Sequence, residues 1–213
     1  MLNLDSIKIE VRKVDISGFV NGLTLYESIF GMMQGQIAVQ DSTNFFDNFI
    51  GTELAPVDIS FSYLSQDYTA SFYMDGITDM KLHAEKKNYT IHLKSIHVPN
   101  FANTVNSVYS GTTAEIIAKI FADVSADENT MAIDSKTATS GKYIAPNIPA
   151  KDCFKTLVAN AYCIDQSGLF MYERLVDENT VRLTSLYDMI DNAFVNNQGT
   201  AVSIKQSISD MRE

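Results

Sequence analysis

The sequence predicts an α+β fold, in which an antiparallel β-barrel or β-sandwich domain with a short helical insert precedes a small α+β domain. Three observations support this fold class. Apolar and polar residues alternate with a period of two through most of the first hundred residues, as in strands with one exposed face. Apolar residues then recur at helical spacing in two segments after residue 110. A hairpin pattern follows them. We therefore expect domains at 1–100 and 108–192, joined near 98–110.

The strands of the first domain are predicted from alternation alone. It is clearest at Val57, Ile59 and Phe61, which are separated by Asp58 and Ser60. The same pattern predicts strands within 7–11, 23–30, 35–42, 57–63, 68–74, 80–82 and 89–93. A polar turn at 85–88 makes a hairpin of the last two, and Asp75-Gly76 is interpreted as another turn.

A short helix is predicted to interrupt these strands. Asp41 or Ser42 can cap its start and Gly51 its end. Its apolar face consists of Phe45, Phe46, Phe49 and Ile50. Aromatic side chains in this number must be covered, either by the domain's own β-structure or by a neighbouring subunit.

The second domain begins with a helix. Thr112 and Glu115 form a capping box, and apolar residues at helical spacing continue to Val124. The polar stretch from Ser125 to Lys142 is interpreted as a loop.

A second helix is predicted to follow the segment 145–149, with Pro149 in its first turn. Its apolar face would contain Phe154, Leu157, Val158 and Ala161. A hairpin is then predicted from 168–175 and 180–187, with its turn at 177–179. Residues 188–213 are weakly patterned, with one candidate strand at 201–208.

Composition and charge favour a globular protein that does not bind nucleic acid. Of the 213 residues, 46% are hydrophobic and 20% are charged, and the formal net charge is −10. The basic residues are scattered, whereas phosphate binding needs clusters of them. An acidic surface suits a conduit for DNA, and simple solubility explains the charge equally well. The sequence shows neither a signal peptide nor an apolar run long enough for a membrane span, so we expect no membrane insertion.

Motifs for chemistry are lacking in the sequence. His83, His92 and His97 do not have metal-ligand spacing and are interpreted as surface residues. Cys153 and Cys163 fall in one helical pattern, roughly 15 Å apart at the helical rise, and are expected to be buried and unpaired. The segment 110–113 has the Gly and Thr of a helix cap without the Lys of a phosphate loop. We expect no enzyme activity, no metal and no cofactor.

Several motifs together resemble the central baseplate hub protein of contractile-tailed (myovirus) phages, in its tail-tube-like module and the following α+β domain. The motifs are a turn at 27–31, a glycine-led strand ending in Asp-Ser at 35–42, the helix at 111–124, the Pro-x-Ile-Pro step at 146–149, and the hairpin with 170–172 and 186–190.

This resemblance implies a structural virion protein of the phage tail baseplate, assembled in the host cytoplasm. Such a subunit forms a ring, with a trimer favoured and a hexamer possible. The ring joins tail-tube or tube-initiator proteins to a central spike protein, and the genome passes through its channel without specific binding. Residues 193–213 would then lead toward a second barrel that this chain lacks. The candidate oligomer interface is Phe45, Phe46, Phe49, Ile50, Tyr26 and Phe30.

Two other interpretations stay open. One is a hub or spike-base subunit of a related contractile injection system, either a secretion system or a bacteriocin. The other is a soluble two-domain ligand-binding protein or enzyme, with its cleft between residues 1–98 and 110–190.

Overall fold

Seven strands of the first half form one antiparallel sheet. A computed structural model describes residues 7–43, 45, 54–63, 66–83, 86–125 and 131–196. The strands are β1 (Ile7–Val11), β2 (Val14–Asp15), β3 (Val20–Ser28), β4 (Gly31–Asp41), β5 (Pro56–Tyr63), β6 (Gln66–His83) and β7 (Lys86–Ser95). Their order across the sheet is β2-β1-β5-β6-β7-β4-β3.

Alternation places one face of this sheet in an apolar core. On β1, Ile7, Ile9 and Val11 are buried while Lys8 is exposed. The same period holds along β4 and β7, so the predicted strands of the first half are confirmed. The core consists of residues from β1 and β4–β7, together with Ile16 and Ala55. Phe45 packs against this core and is half-buried.

The sequence predicts a barrel or a sandwich, and a barrel requires the two outermost strands of the sheet to pair with each other. Its outermost strands are β2 and β3, and no pairing joins them among the described residues. A closed barrel is therefore not found, and the first half is an open, mostly antiparallel sheet. The sheet stays open because β2 and the turn after it already occupy the outer side of β1, where a closing strand would have to pair.

Strand β6 corrects the prediction of a turn at Asp75-Gly76. It runs without interruption for 18 residues and pairs with both β5 and β7. Its register with β7 shifts between Met74 and Gly76, and again between Thr78 and Lys81. A glycine inside a strand marks a bulge as readily as a turn, and here β7 continues the pairing on both sides of it.

The second half builds a separate set of elements. They are β8 (Thr104–Thr112), α1 (Thr113–Val124), β9 (Met131–Ile133), β10 (Ser140–Pro149), α2 (Ala150–Ala159), β11 (Leu169–Glu173), β12 (Val181–Ser185) and α3 (Leu186–Asn196). Strands β8 and β10 form a two-stranded antiparallel ribbon. The other sheet has the order β11-β12-β9, in which β12 and β9 are parallel. A second core lies between these strands and helices α1 and α2.

Several predictions for the second half are confirmed. Thr112 caps α1 and its hydroxyl accepts from the Glu115 N–H, while a carboxylate oxygen of Glu115 accepts from the Thr112 N–H at 2.9 Å. The predicted helix after Pro149 is α2, and the predicted hairpin is β11 with β12.

One prediction for this half is wrong, and three further segments contain elements that the local pattern did not predict. The stretch Ser125–Lys142 is not one loop, because β9 and the start of β10 lie within it. The segment 145–149 belongs to β10, where a register shift between Pro146 and Ile148 accommodates the proline. Strand β8 starts at Thr104, within the predicted joint at 98–110, and α3 extends to Asn196, within the weakly patterned segment. Pairing between distant segments decides these elements, and a local pattern does not carry that information.

Some predictions fall on residues outside the described ranges. These are the helical insert apart from Phe45, the candidate strand at 201–208, and the connection at 193–213 beyond Asn196. The domain boundaries stay a prediction. Within the described residues, no helix is long and apolar enough to cross a bilayer.

We predict that Gly35→Ala destabilises the first half. A Cβ at Gly35 would lie 2.8 Å from Leu25 Cδ2, 3.1 Å from the Thr24 carbonyl oxygen and 3.2 Å from Leu93 Cδ1. Overpacking of this kind costs on the order of 1–3 kcal/mol, which urea unfolding followed by circular dichroism would measure. Gly22→Ala is the matched control, because its Cβ would meet only Ala38 Cβ, at 3.8 Å. Equal losses in the two variants would contradict the packing argument.

We also predict that Thr112→Ala lowers the free energy of unfolding by about 1 kcal/mol, since it removes the hydroxyl half of the capping box. Thr156→Ala in α2 is the control. Its exposed hydroxyl donates only to the Asp152 carbonyl oxygen one turn earlier, so we expect a change of less than about 0.5 kcal/mol. A Thr112→Ala variant as stable as the wild type would show that the box contributes nothing.

Candidate interaction surface

Among the described residues, no group of three or more His, Cys, Asp or Glu side chains could hold a metal ion. Cys153 and Cys163 are buried and unpaired, as predicted. Burial, followed by the charges of Asp165 and Asp188, raises the pKa of the Cys163 thiol to about 11, so it is a poor nucleophile at neutral pH.

Several carboxylates of the second half are engaged in structural contacts. Asp165 accepts from the Ser185 and Ser167 hydroxyls, which hold its pKa below the usual value. Asp134 and Asp177 both pair with Arg182, at 2.9 and 2.7 Å. These groups stabilise the chain segments around β12.

The histidines correct one prediction. His92 is half-buried, with its Nε2 atom 2.7 Å from the Thr78 hydroxyl, and the His83 side chain lies outside the described part of the chain. His97 was predicted at the surface but is only 2% exposed. It lies beside Glu173, which is fully buried. The burial of Glu173 could have been predicted from the sequence, because the period of two places this residue on the same face of β11 as the buried Leu169 and Met171.

Among the described residues, strand edges without a paired neighbour occur on the β8–β10 ribbon and on the outer side of β3. This nine-residue strand pairs with β4 on one side, and no described residue pairs with its other side. Its sequence VNGLTLYES contains neither lysine nor arginine nor proline, the residues that commonly prevent an edge from pairing with other chains. We refer to the outer side of Val20–Ser28 as the open edge.

The opposite edge of the same sheet is closed by its own chain. Glu10 and Val11 of β1 pair with β2. Beyond them, the Ser17 hydroxyl accepts from the Ile9 N–H at 2.9 Å, and the Ile9 carbonyl oxygen accepts from the Ile16 N–H at 2.9 Å. The backbone groups that another strand would need are therefore already used there.

The open edge ends in the β3–β4 turn, which carries exposed apolar side chains. Tyr26 is 51% exposed and Phe30 is 66% exposed. The Phe30 ring contacts the Phe170 ring edge-on, with centroids 5.8 Å apart. The Glu27 carboxylate accepts from the Leu175 N–H, so the turn is held against the second half.

A shallow apolar groove lies beside this turn. It has a volume of about 360 Å³ and is lined by Ile29 and Phe30 from the turn, by Val158 and Tyr162 from and after α2, and by Phe170 from β11. Tyr162 is 63% exposed, so apolar surface extends from the turn onto the second half. Surface of this kind is typical of contacts between proteins.

Of the six predicted interface residues, the structure places two on this surface. Tyr26 and Phe30 lie at the end of the open edge. Phe45 packs on the sheet's own core, which was the alternative weighed for the insert. Phe46, Phe49 and Ile50 lie outside the described residues. Whether the surface is an oligomer interface stays a prediction.

The fold is shared with phage tail proteins. No protein-family model and no curated protein matches the chain. Among solved structures, it is similar to the 43 kDa tail protein of prophage MuSo2 from Shewanella oneidensis, with a TM-score of 0.59 and 8% identity over 84% of this chain and 53% of the other. It is similar to a tail protein from Neisseria meningitidis MC58, with a TM-score of 0.54 and 8% identity over 84% and 50%.

The same fold occurs in the PdpA–VgrG complex of Francisella in its lidded form, with a TM-score of 0.53 and 13% identity. That match covers 92% of this chain and 30% of the other. The chain thus spans about half, or less, of the length of these neighbours. The likeness establishes a common fold for most of the described residues.

Proposed function

We propose that this chain is a structural subunit of a phage tail, acting in the baseplate hub as part of a ring that joins the tail tube to the central spike. The observation that carries the proposal is the open edge of β3, on a fold that the chain shares with tail proteins. An unprotected nine-residue edge is an aggregation hazard unless a partner covers it in the assembled state.

The two edges of the sheet favour a ring. Among the described residues, the closed edge has no backbone groups left to pair with the open edge of a neighbour, so in a ring the open edge would meet a different surface of the next copy, away from β2. Heterologous contacts of this type close into rings when the rotation between copies fits a whole number of subunits. A trimer or a hexamer satisfies this condition, and we favour the trimer.

The charge of the chain suits a ring around a genome channel. With a net charge of −10, the subunits would repel phosphate and let DNA pass without binding it. The proposed partners are the tail tube or tube-initiator proteins on one face and the spike on the other, in a virion assembled in the host cytoplasm. The function requires neither a cofactor nor an enzymatic step.

A related function is an equivalent place in a contractile injection system. The likeness to the Francisella PdpA–VgrG complex favours it, because that structure has the same fold at a TM-score of 0.53. A ligand-binding protein with a cleft between its halves is the less favoured alternative, because Glu173 and His97 close the contact where they lie, at 0% and 2% exposed, and the groove beside Phe30 is shallow.

We predict that Tyr26→Asp disrupts assembly of the full chain. The wild type should form a closed oligomer of three or six copies, seen by native mass spectrometry and as a ring in negative-stain electron micrographs. In the assembled state the new carboxylate would lose its contact with water and would face another acidic chain. Both effects oppose binding, so we expect at least a tenfold rise in the dissociation constant between subunits.

Val14→Asp is the matched control, because Val14 is 48% exposed on the closed edge, against 51% for Tyr26. Circular dichroism should show both variants folded. A wild type that stays monomeric at tens of micromolar would overturn the ring. Equal loss of assembly in both variants would overturn the role of the open edge.

A further inference from the structure

Glu173 is a buried carboxylate whose hydrogen-bond partners come from the other half of the chain. It ends β11 and is 0% exposed. Its Oε2 atom accepts from the Met33 N–H on β4 at 2.9 Å, and its Oε1 atom accepts from the Ser95 hydroxyl at the end of β7 at 2.8 Å. This one side chain therefore connects the three-stranded sheet to two neighbouring strands of the seven-stranded sheet.

His97 lies next to this carboxylate and shares its burial. Its Nε2 atom is 3.6 Å from Glu173 Oε1 and 2.7 Å from the Asn179 carbonyl oxygen. Because a carbonyl oxygen can only accept, Nε2 carries a hydrogen. The imidazole is enclosed by the rings of Phe121 and Phe101, with centroids 5.3 and 6.4 Å away.

Asn179 completes the connection. Its side-chain oxygen accepts from the Ser71 N–H at 2.8 Å, and its side-chain nitrogen donates to the Ser71 carbonyl oxygen at 2.7 Å. Its backbone is left-handed, with φ of 65°, a conformation that asparagine adopts more readily than most residues. The cluster thus links Glu173, His97 and Asn179 to β4, β6 and β7.

The charged groups around Glu173 are few. β4 contributes the neutral Met33 N–H, β7 the neutral Ser95 hydroxyl, and the turn before β12 the neutral Asn179. The titratable group that faces Glu173 is His97, which is its one ion-pair partner within 4.0 Å among the described residues. Arg174 follows directly in sequence, but its side chain is 49% exposed and lies 4.0 Å from Asp177. Glu27 is turned to the Leu175 N–H near the surface.

We propose that Glu173 and His97 form a pH-operated latch between the seven-stranded sheet and the second half of the chain. With Glu173 protonated the buried cluster is neutral, since the acid lies beside an imidazole whose Nε2 hydrogen is donated to the Asn179 carbonyl oxygen. Loss of that proton leaves a buried carboxylate without a cation, and the second half is then held less firmly.

The direction of the pH effect follows from linkage. Burial raises the pKa of Glu173 from 4.5 to about 7, although the Ser95 and Met33 hydrogen bonds lower it in part. Between pH 4.5 and about 7 the folded chain therefore binds more protons at this site than the unfolded chain does. The contribution of Glu173 to stability is fully present below pH 4.5 and is lost as the pH rises through about 7.

The test is the pH dependence of the Met33 amide, whose N–H donates to Glu173. Hydrogen-exchange protection factors, corrected for the intrinsic exchange rate, would be measured on the full chain from pH 5 to 8. The wild-type protection factor should fall by up to tenfold per pH unit as the pH approaches 7. In Glu173→Gln, which keeps the shape of the side chain and cannot ionise, it should be independent of pH.

Glu10→Gln is the matched control, since Glu10 is a half-exposed glutamate of β1 paired with Lys8, and it should keep the wild-type profile. A flat wild-type profile, or the same flattening in both variants, would overturn the latch. A second measurement needs no variant. In a chain with 13C-labelled glutamate, the Glu173 carboxyl resonance should titrate with a midpoint near 7, and a midpoint near 4.5 would also overturn the proposal.

Discussion

The start of β4 is the place on which the arrangement of the two halves depends. Neighbouring residues of a strand point to opposite faces, and here Met33 enters the core of the seven-stranded sheet while Met32 packs against the core of the second half. The Met33 N–H is bound by Glu173, which is too deeply buried to find water instead. An ionisable group in such a place must keep its partners, so β11 cannot slide along β4 without leaving a carboxylate unpaired. The cluster therefore fixes the register between the two halves as well as their contact.

Other contacts between the two halves hold the open edge in place. Two contacts attach the end of β3 and the following turn to the second half. The Phe30 ring contacts the Phe170 ring, and the Glu27 carboxylate accepts from the Leu175 N–H. A strand edge that is already ordered loses little further conformational entropy when another chain pairs with it. Fixing the second half on the first thus also orders the backbone edge Val20–Ser28, whose pairing with β4 shifts register near both ends, for binding. The buried polar cluster and the surface that we propose for assembly therefore both depend on the contact between the two halves.

The parts that could be predicted from the sequence are those that depend on neighbouring residues. The period of two predicted β1, β4, β5 and β7, and Thr112 with Glu115 predicted the start of α1. The sequence could not show that the sheet stays open, because that depends on Ile16 and Ser17 folding back onto Ile9. It could not show β9 either, whose three residues are held by parallel pairing to β12 some fifty positions later. For the site, Tyr26 and Phe30 were named from the sequence, but the burial of His97 follows from a partner 76 positions away and has no local signature.

Low sequence identity is what a function based on backbone edges would permit. The similar tail proteins retain the fold at 8% identity, a level at which few individual side chains are shared. Pairing along an open edge uses N–H and C=O groups that every residue except proline provides, so it depends on strand position and length rather than on residue type. The described residues offer the geometry for such pairing: an ordered nine-residue edge on an open sheet, held by a buried contact to the following elements.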